Sequence, residues 1–286
     1  MAFETIDFTS DIQYPNYHLN ANSVLAFYKC PYTFYWTYIK EVYEKPPVIK
    51  HPVEMILKGL FFGGEDATLK LDGSSPINPK THKPFGADTQ KYEDWARGAR
   101  AQGLTPVHKD HIEKAKAIYA GLKQQVDGGF STTLAHLVKP GGQFSIHGTA
   151  NIDNNNCYAH VDYISAGGCV CQLVCTPTLD RDSRSGLDSL VNEAIFKLSF
   201  NRLVFSKLGL VDSKMYLILV ETNAPYRAGI VYFDDDHPSQ RVALSPTGAS
   251  SRAVMATIQA ISAAHNSIGI DAWKSPWHHD AAFIAT

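Results

Sequence analysis

The 286-residue sequence has no surplus of either charge. Lys and Arg number 26 against 28 Asp and Glu, a formal net charge of −2. Bulk charge therefore argues neither for nor against a nucleic-acid partner, since a basic groove fits inside a balanced total. Uninterrupted apolar runs of roughly 18 residues, the length that spans a bilayer, are missing, which excludes a membrane-spanning helix. The opening residues MAFETIDFTSD lack the charged-then-apolar layout of a secretion signal, so a cytoplasmic location is expected. Cysteine is scarce and odd in number: Cys30, Cys157, Cys169, Cys171 and Cys175. Three of these lie on one short stretch, which argues against a disulfide framework. The spacing C-x-C-x3-C has no fourth ligand at zinc-site distance, so these thiols read as small buried fillers. No G-x-S-x-G, no phosphate-binding G-x4-G-K-[ST] and no dinucleotide glycine pattern occurs; GLFFGGED comes near the second but lacks its lysine. Internal repeats and low-complexity tracts are absent too.

What is present is a globular composition, 44% hydrophobic and 19% charged. It is enough for one substantial domain over 1–286, mainly helical over 1–130 and sheet-containing over 131–286. Asn20 or Asn22 can cap a helix through NSVLAFYK, and Pro31 restarts it before an aromatic run. A second helix is expected over PVEMILKGLFFGGEDATLKL. Residues 73–90, rich in Gly, Pro, Ser, Asn and Thr, form a surface loop. KDHIEKAKAIYAGLKQQV is amphipathic, with Ile112, Ala115, Ile118, Tyr119 and Leu122 on one face. The period then shortens. QFSIHGTANI, CYAHVDYISA, CVCQLVCT, KMYLILVETN and AGIVYFDDD are strand-like. The helix SGLDSLVNEAIFKLSFNRLVFSKLGL lies between the third and fourth of these, and SSRAVMATIQAISAAHNSIG ends the pattern. The fold class is α/β, a mixed sheet flanked by helices, and the single helix between strands three and four predicts a crossover to a parallel neighbour.

Two histidine clusters are weighed first. His108 and His111 share a helix face but lack the glutamate of a zinc-protease pattern, and read as a polar surface turn. WHHD, Trp277 to Asp280, reads as a terminal surface feature because adjacent histidines on an extended chain point apart. Asp162 stands out more. It lies at the centre of one strand, a short turn before the next. Enzymes that hydrolyse phosphodiesters with magnesium converge two or three carboxylates on hard cations, and a lysine beside the second acid stabilises the charge developing on phosphate.

With these segments the sequence resembles the RecE-type phage and prophage exonucleases of the PD-(D/E)XK nuclease superfamily, over about residues 17 to 280. YHLNANSVLAFYKCPYTFYW is similar to the family's opening, and KGLFFGGEDATL to its glycine-bearing helix with a catalytic histidine. QFSIHGTANIDNNNCYAHVDYIS resembles the strand pair that ends in the first catalytic aspartate, and CVCQLVCT the strand of acid, x, lysine, threonine. FNRLVFSKLGL takes the place of the glutamine-bearing helix. MYLILVETNAPYRAGIVYFD resembles the final hairpin, with Glu221, Pro225 and Tyr226 at its glutamate, proline and tyrosine.

By that resemblance only Asp162 keeps a catalytic position. Gly63 stands for the histidine, Gln172 for the second acid, Val174 for the lysine and Asn201 for the helix glutamine. One carboxylate holds magnesium poorly, and a neutral amide adds little. The resemblance thus implies a protein of phage or prophage origin with a decayed site, acting as a DNA-associated or protein-binding module. The alternative is an active Mg2+- or Mn2+-dependent 5′ to 3′ double-strand exonuclease with relocated groups. For these, Glu193 and Lys197 share a helix face with Asn201, Asp180 and Asp182 follow the strand, and Glu65 and Asp66 follow Gly63. The plainer reading of Glu193 and Lys197 is an ordinary surface ion pair. A third expectation is a factor that targets host recombination or defence enzymes. Double-stranded DNA ends, a host protein and a second copy of the chain are the partners the resemblance implies.

Overall fold

Asn20 opens the first helix with a reciprocal cap. Its Oδ1 accepts the backbone N–H groups of Asn22 and Ser23, each at 3.0 Å, while its own N–H donates to Ser23 Oγ at 2.9 Å. The computed structural model describes residues 19–41, 51–63, 70–86, 88–124, 138, 141–179, 184–211, 214–234 and 251–266. Helix α1 spans Ala21–Lys29, and Pro31 begins α2, Pro31–Phe34, which widens into a π-helical turn over Tyr35–Ile39. Helix α3, Pro52–Lys58, is shorter than its sequence pattern. It passes into a second π-helical turn at Gly59–Gly63, and Leu71–Asp72 is not helix but a short strand, β1. Helix α4, Gln90–Ala101, follows the expected loop, and Thr105–Pro106 forms β2, parallel to β1. The amphipathic helix α5 runs over Lys109–Gln124.

The main sheet follows: β3 Gln143–Ile152, β4 Asn155–Ile164, β5 Val170–Thr176, β6 Lys214–Glu221 and β7 Ala228–Asp234. Their spatial order equals their chain order. All neighbours are antiparallel except β5 and β6, which are parallel and joined by α6, Arg184–Lys207. The expected crossover is therefore present, and the fold is a mixed α/β sheet. Helix α7 covers Ser251–Asn266. Among the described residues, no helix is long and apolar enough to cross a membrane.

Side-chain alternation distributes two apolar layers. Met215, Leu217 and Leu219 of β6 pack with α1, α6 and α7, whereas Ile218 and Val220 pack with α3, its π-helical turn and α5. Cys157 and Cys171 are fully buried and contribute to these layers as fillers. Gly148 lets α6 lie close to β3: a Cβ there would stand 2.8 Å from Leu208 and 2.9 Å from Phe205. Overpacking of this kind costs about 1–3 kcal/mol. Gly148→Ala is accordingly expected to lower unfolding stability by about that amount, read as a fall in the urea midpoint with the slope unchanged.

Candidate functional site

The site begins where the sheet loses its regular pairing. β4 and β5 pair only at Tyr163 with Cys171 and Ile164 with Val170. Towards the start of β4 the strands diverge, and Leu19 takes the vacated edge. Its N–H donates to the Asn156 carbonyl at 2.8 Å, and its carbonyl accepts from Tyr158 N–H at 2.7 Å. Alternation also breaks here. Ile146 and Val161 join the α6-side layer, while their neighbours two residues along, Phe144 and Tyr163, join the α3-side layer. Between them, Ser145 adopts φ 52°. Asp162 sits at this break and turns towards α3. At the mouth of the fork its Oδ2 accepts the Leu173 N–H at 2.8 Å, a side chain doing the work of a ladder carbonyl.

Helix α3 brings the other charges. Glu54 and Lys58, four residues apart, share one face of it. Lys58 Nζ lies 2.9 Å from Glu54 Oε1 and 3.2 Å from Asp162 Oδ1. Glu54 Oε2 in turn accepts the Cys175 N–H at 2.9 Å. Two carboxylates and one ammonium thus tie α3 to β4 and β5. Asp162 is 3% exposed and Glu54 and Lys58 about a fifth. Burial works against the Lys58 ammonium, but Asp162 and Glu54 outweigh it, so its pKa ends above the ordinary value. Burial raises the Asp162 carboxyl, and Lys58 and the Leu173 N–H offset only part of that rise. The Cys175 thiol beside them is pushed up to about 12 by burial and by Glu54, so it is protonated.

Two imidazoles extend the same face. His147 and His160 are cross-strand partners with stacked rings, centroids 4.3 Å apart. His147 Nδ1 bonds to Tyr158 Oη, and His160 Nε2 to Ser145 Oγ at 3.3 Å. Burial, then the neighbouring imidazole, lowers His147 to about 3; burial, then Lys58, lowers His160 to about 4. Both are neutral near pH 7.

The expected site residues are only partly brought together. Asp162 is at the centre. Glu193 and Lys197 belong to the opposite layer: Glu193 Oε1 pairs with Lys29 Nζ of α1 at 2.5 Å, and burial lowers the Lys197 pKa. Asn201 is buried and donates from Nδ2 to the His160 carbonyl at 2.7 Å, pinning α6 to β4 from behind. Gly63 ends the π-helical turn after α3. Val174 packs into the α6-side layer and Gln172 shares that side by alternation, with Oε1 buried and unpartnered. The residues of β5 on the side of Asp162 are Cys171, Leu173 and Cys175. Asp180, Asp182, Glu65, Asp66 and WHHD lie outside the described residues, whereas His108 and His111 belong to the start of α5, with rings in edge contact. Sequence reasoning missed Glu54 and Lys58, whose one visible signal was their i, i+4 spacing in PVEMILKG.

Do these residues fit the Mg2+ or Mn2+ that the resemblance implies? Such a cation gathers about six oxygen ligands. Here each carboxylate oxygen already has a partner, and the point between the two acids is held by Lys58. Among the described residues no group of three or more His, Cys, Asp or Glu side chains is placed to hold a metal ion. The donor set does not fit a divalent cation.

Two outcomes follow from this geometry. Asp162→Ala strips Lys58 and the Leu173 N–H of a buried partner, and its expected cost is about 3–5 kcal/mol by urea unfolding. The histidines fix a pH dependence. Their folded pKa values lie below the ordinary 6.5, so the folded state binds fewer protons and stability is lost as pH falls below about 6.5. Glu221 adds to this only lower down, because its bonds from Arg227 hold it at about 2, below its ordinary 4.5. Replacing both His147 and His160 by Gln is expected to flatten the stability profile between pH 6.5 and 4.5, leaving the fall below 4.5.

No family model matches the chain and no curated protein matches it. Among solved structures the chain is similar to a Eubacterium rectale protein provisionally named an exonuclease, at 11% identity over 88% of this chain and 87% of that one, with a TM-score of 0.43. It is also similar to SSO0001, at 14% identity over 52% of this chain and 63% of that one, with a TM-score of 0.27. At these scores neither likeness bears on the chemistry of the site, which rests on the geometry above.

Proposed function

We propose that the chain is a nuclease-fold protein of phage or prophage origin whose acidic site no longer hydrolyses phosphodiesters, and that it acts as a DNA-associated module. One observation carries the reading: the surviving aspartate is buried and both of its oxygens are engaged, one by Lys58 and one by the Leu173 N–H. A carboxylate so held is 3% exposed, with each oxygen already committed to a partner within the protein. Tyr28 supports the binding half: it is 46% exposed on α1, and an exposed aromatic face stacks on bases.

A second reading has its own observation. Helix α3 delivers to Asp162 both an acid and a lysine, the two groups that β5 lacks, which is the complement an active hydrolase with relocated groups needs. Incubation of linear duplex DNA with Mg2+ or Mn2+ separates the two. The expected result is no shortening of either strand, with retention of duplex that weakens as salt rises. Cleavage that disappears in both Asp162→Ala and Glu54→Gln overturns the first reading in favour of the second. Absence of both cleavage and retention removes DNA as the partner and leaves a protein-binding role.

A further inference from the structure

We propose that the hairpin over residues 76–85 is the surface that holds duplex DNA, with Lys80 and Lys83 on phosphates and Ile77 against the groove. The proposal rests on the DNA-associated reading above and says where that contact lies.

The hairpin lies between β1 and α4 and is closed by its own backbone. Phe85 N–H donates to the Pro76 carbonyl at 3.0 Å and Asn78 N–H to the Lys83 carbonyl at 2.8 Å, with Ile77 and Pro84 opposite each other between these bonds. At the tip the Asn78 carbonyl accepts from His82 N–H at 2.8 Å, and its Oδ1 accepts from Lys80 N–H at 2.9 Å. His82 turns the chain with φ 53°, and Pro79 and Pro84 stiffen the two arms. The lysines are thus carried on a backbone already fixed, which lowers the ordering cost of binding. The charge on it has one sign. No acid lies between Gly73 and Ala87, whereas Lys80, His82 and Lys83 all do, and all three are exposed. Of the two flanking acids, Asp72 is drawn off by the Ser74 N–H and Trp95 Nε1, and Asp88 lies beyond the base. Lys29, Lys58 and Lys109 are paired with acids; among the described residues Lys80 and Lys83 are not. Lys91, over the Phe85 ring at 5.1 Å, adds a cation at the base. Beside this charge Ile77 is 53% exposed, the most of any large apolar side chain among the described residues. A two-stranded ribbon fits the major groove of a duplex, where unpaired lysines neutralise phosphates. A single apolar side chain buries too little surface to seat the hairpin in a bilayer, so nucleic acid is the polyanion it suits. The hairpin also starts from the side of the acidic site: Leu71, just before it, packs in the same apolar layer as α3.

The test is fluorescence anisotropy of a short labelled duplex of mixed sequence, titrated with the full chain at several salt concentrations and without divalent metal. The double variant Lys80→Gln, Lys83→Gln is expected to weaken binding about tenfold at low salt and to lower the slope of log affinity against log salt by about 2. Ile77→Ser is expected to weaken binding with the slope unchanged. The double variant Lys116→Gln, Lys207→Gln makes the same change of net charge at exposed lysines of α5 and α6, and is expected to stay within about twofold of the wild type. Equal urea midpoints for all variants show that folding is not what changed. A hairpin double variant that binds as tightly as this control overturns the proposal and leaves the DNA reading standing. Wild-type protein that does not retain the duplex overturns the DNA reading and the hairpin contact with it. Capture of phosphatidylserine vesicles that is lost in the hairpin double variant, with no duplex retained, gives the surface to a membrane instead.

Discussion

The ammonium of Lys58 is the contact on which the arrangement of this protein turns. Together with Glu54 it joins a helix to two strands that have parted from one another, and it does so with charge rather than with apolar surface. An ion pair this deep gains little over a well-packed apolar substitute, yet it is expensive to break from one side. Specificity is the more telling consequence. An apolar contact between α3 and the sheet tolerates sliding, whereas two hydrogen-bonded carboxylates sharing one nitrogen fix both the rotation of α3 and the depth at which it sits. The π-helical turn at Gly59–Gly63 follows immediately, and its Phe62 ring stacks on Tyr163, centroids 5.2 Å apart. The charged and aromatic contacts therefore meet β4 at adjacent residues, Asp162 and Tyr163.

The fork in the sheet has a cause in the same place. Antiparallel strands hold together while carbonyls and N–H groups face each other in register. At Asp162 a side chain supplies the acceptor for Leu173, so the backbones need not stay at ladder distance. Leu19 then occupies the edge that β5 leaves, which satisfies the N–H of Tyr158 and the carbonyl of Asn156. Behind the fork, Asn201 does a comparable service for the His160 carbonyl. Every backbone group named at the divergence has a partner drawn from a different element, and this lets a sheet open without leaving its polar groups stranded.

Much of the sheet was legible in the sequence because its signals are local. β-branched and aromatic residues at period two gave all five strands within about two residues of their ends, and β3 in full. Asn20 was a sound cap signal, and the helix before KMYLILVE implied the parallel pair. The misses have physical reasons. Helix α3 was overextended because LKGLFFGG keeps an apolar rhythm, although its glycines allow a wider turn that packs Phe61 and Phe62. Helix α4 passed unnoticed because QKYEDWARGARA is polar and follows a loop of Gly and Pro; its buried face consists of little more than Ala96 and Ala99. The site was legible only at Asp162. Glu54 and Lys58 have the spacing of a solvated surface pair, and nothing local reveals that a distant aspartate meets them. That Gln172 and Val174 face away from Asp162 was not legible either, because alternation in β4 breaks at Asp162, and such a break depends on the neighbouring strand.

The bond from Leu173 to Asp162 has one more implication. Most amide protons within a sheet are shielded by a carbonyl that cannot change its charge, so their exchange with solvent reports how often the strands come apart. The Leu173 amide is shielded instead by a carboxylate on a neighbouring strand. Its exchange rate depends on the ionisation and placement of one side chain, while the flanking amides of β5 continue to follow the parallel ladder with β6. A single backbone proton therefore serves as a built-in gauge of the acid, readable without touching the acid itself.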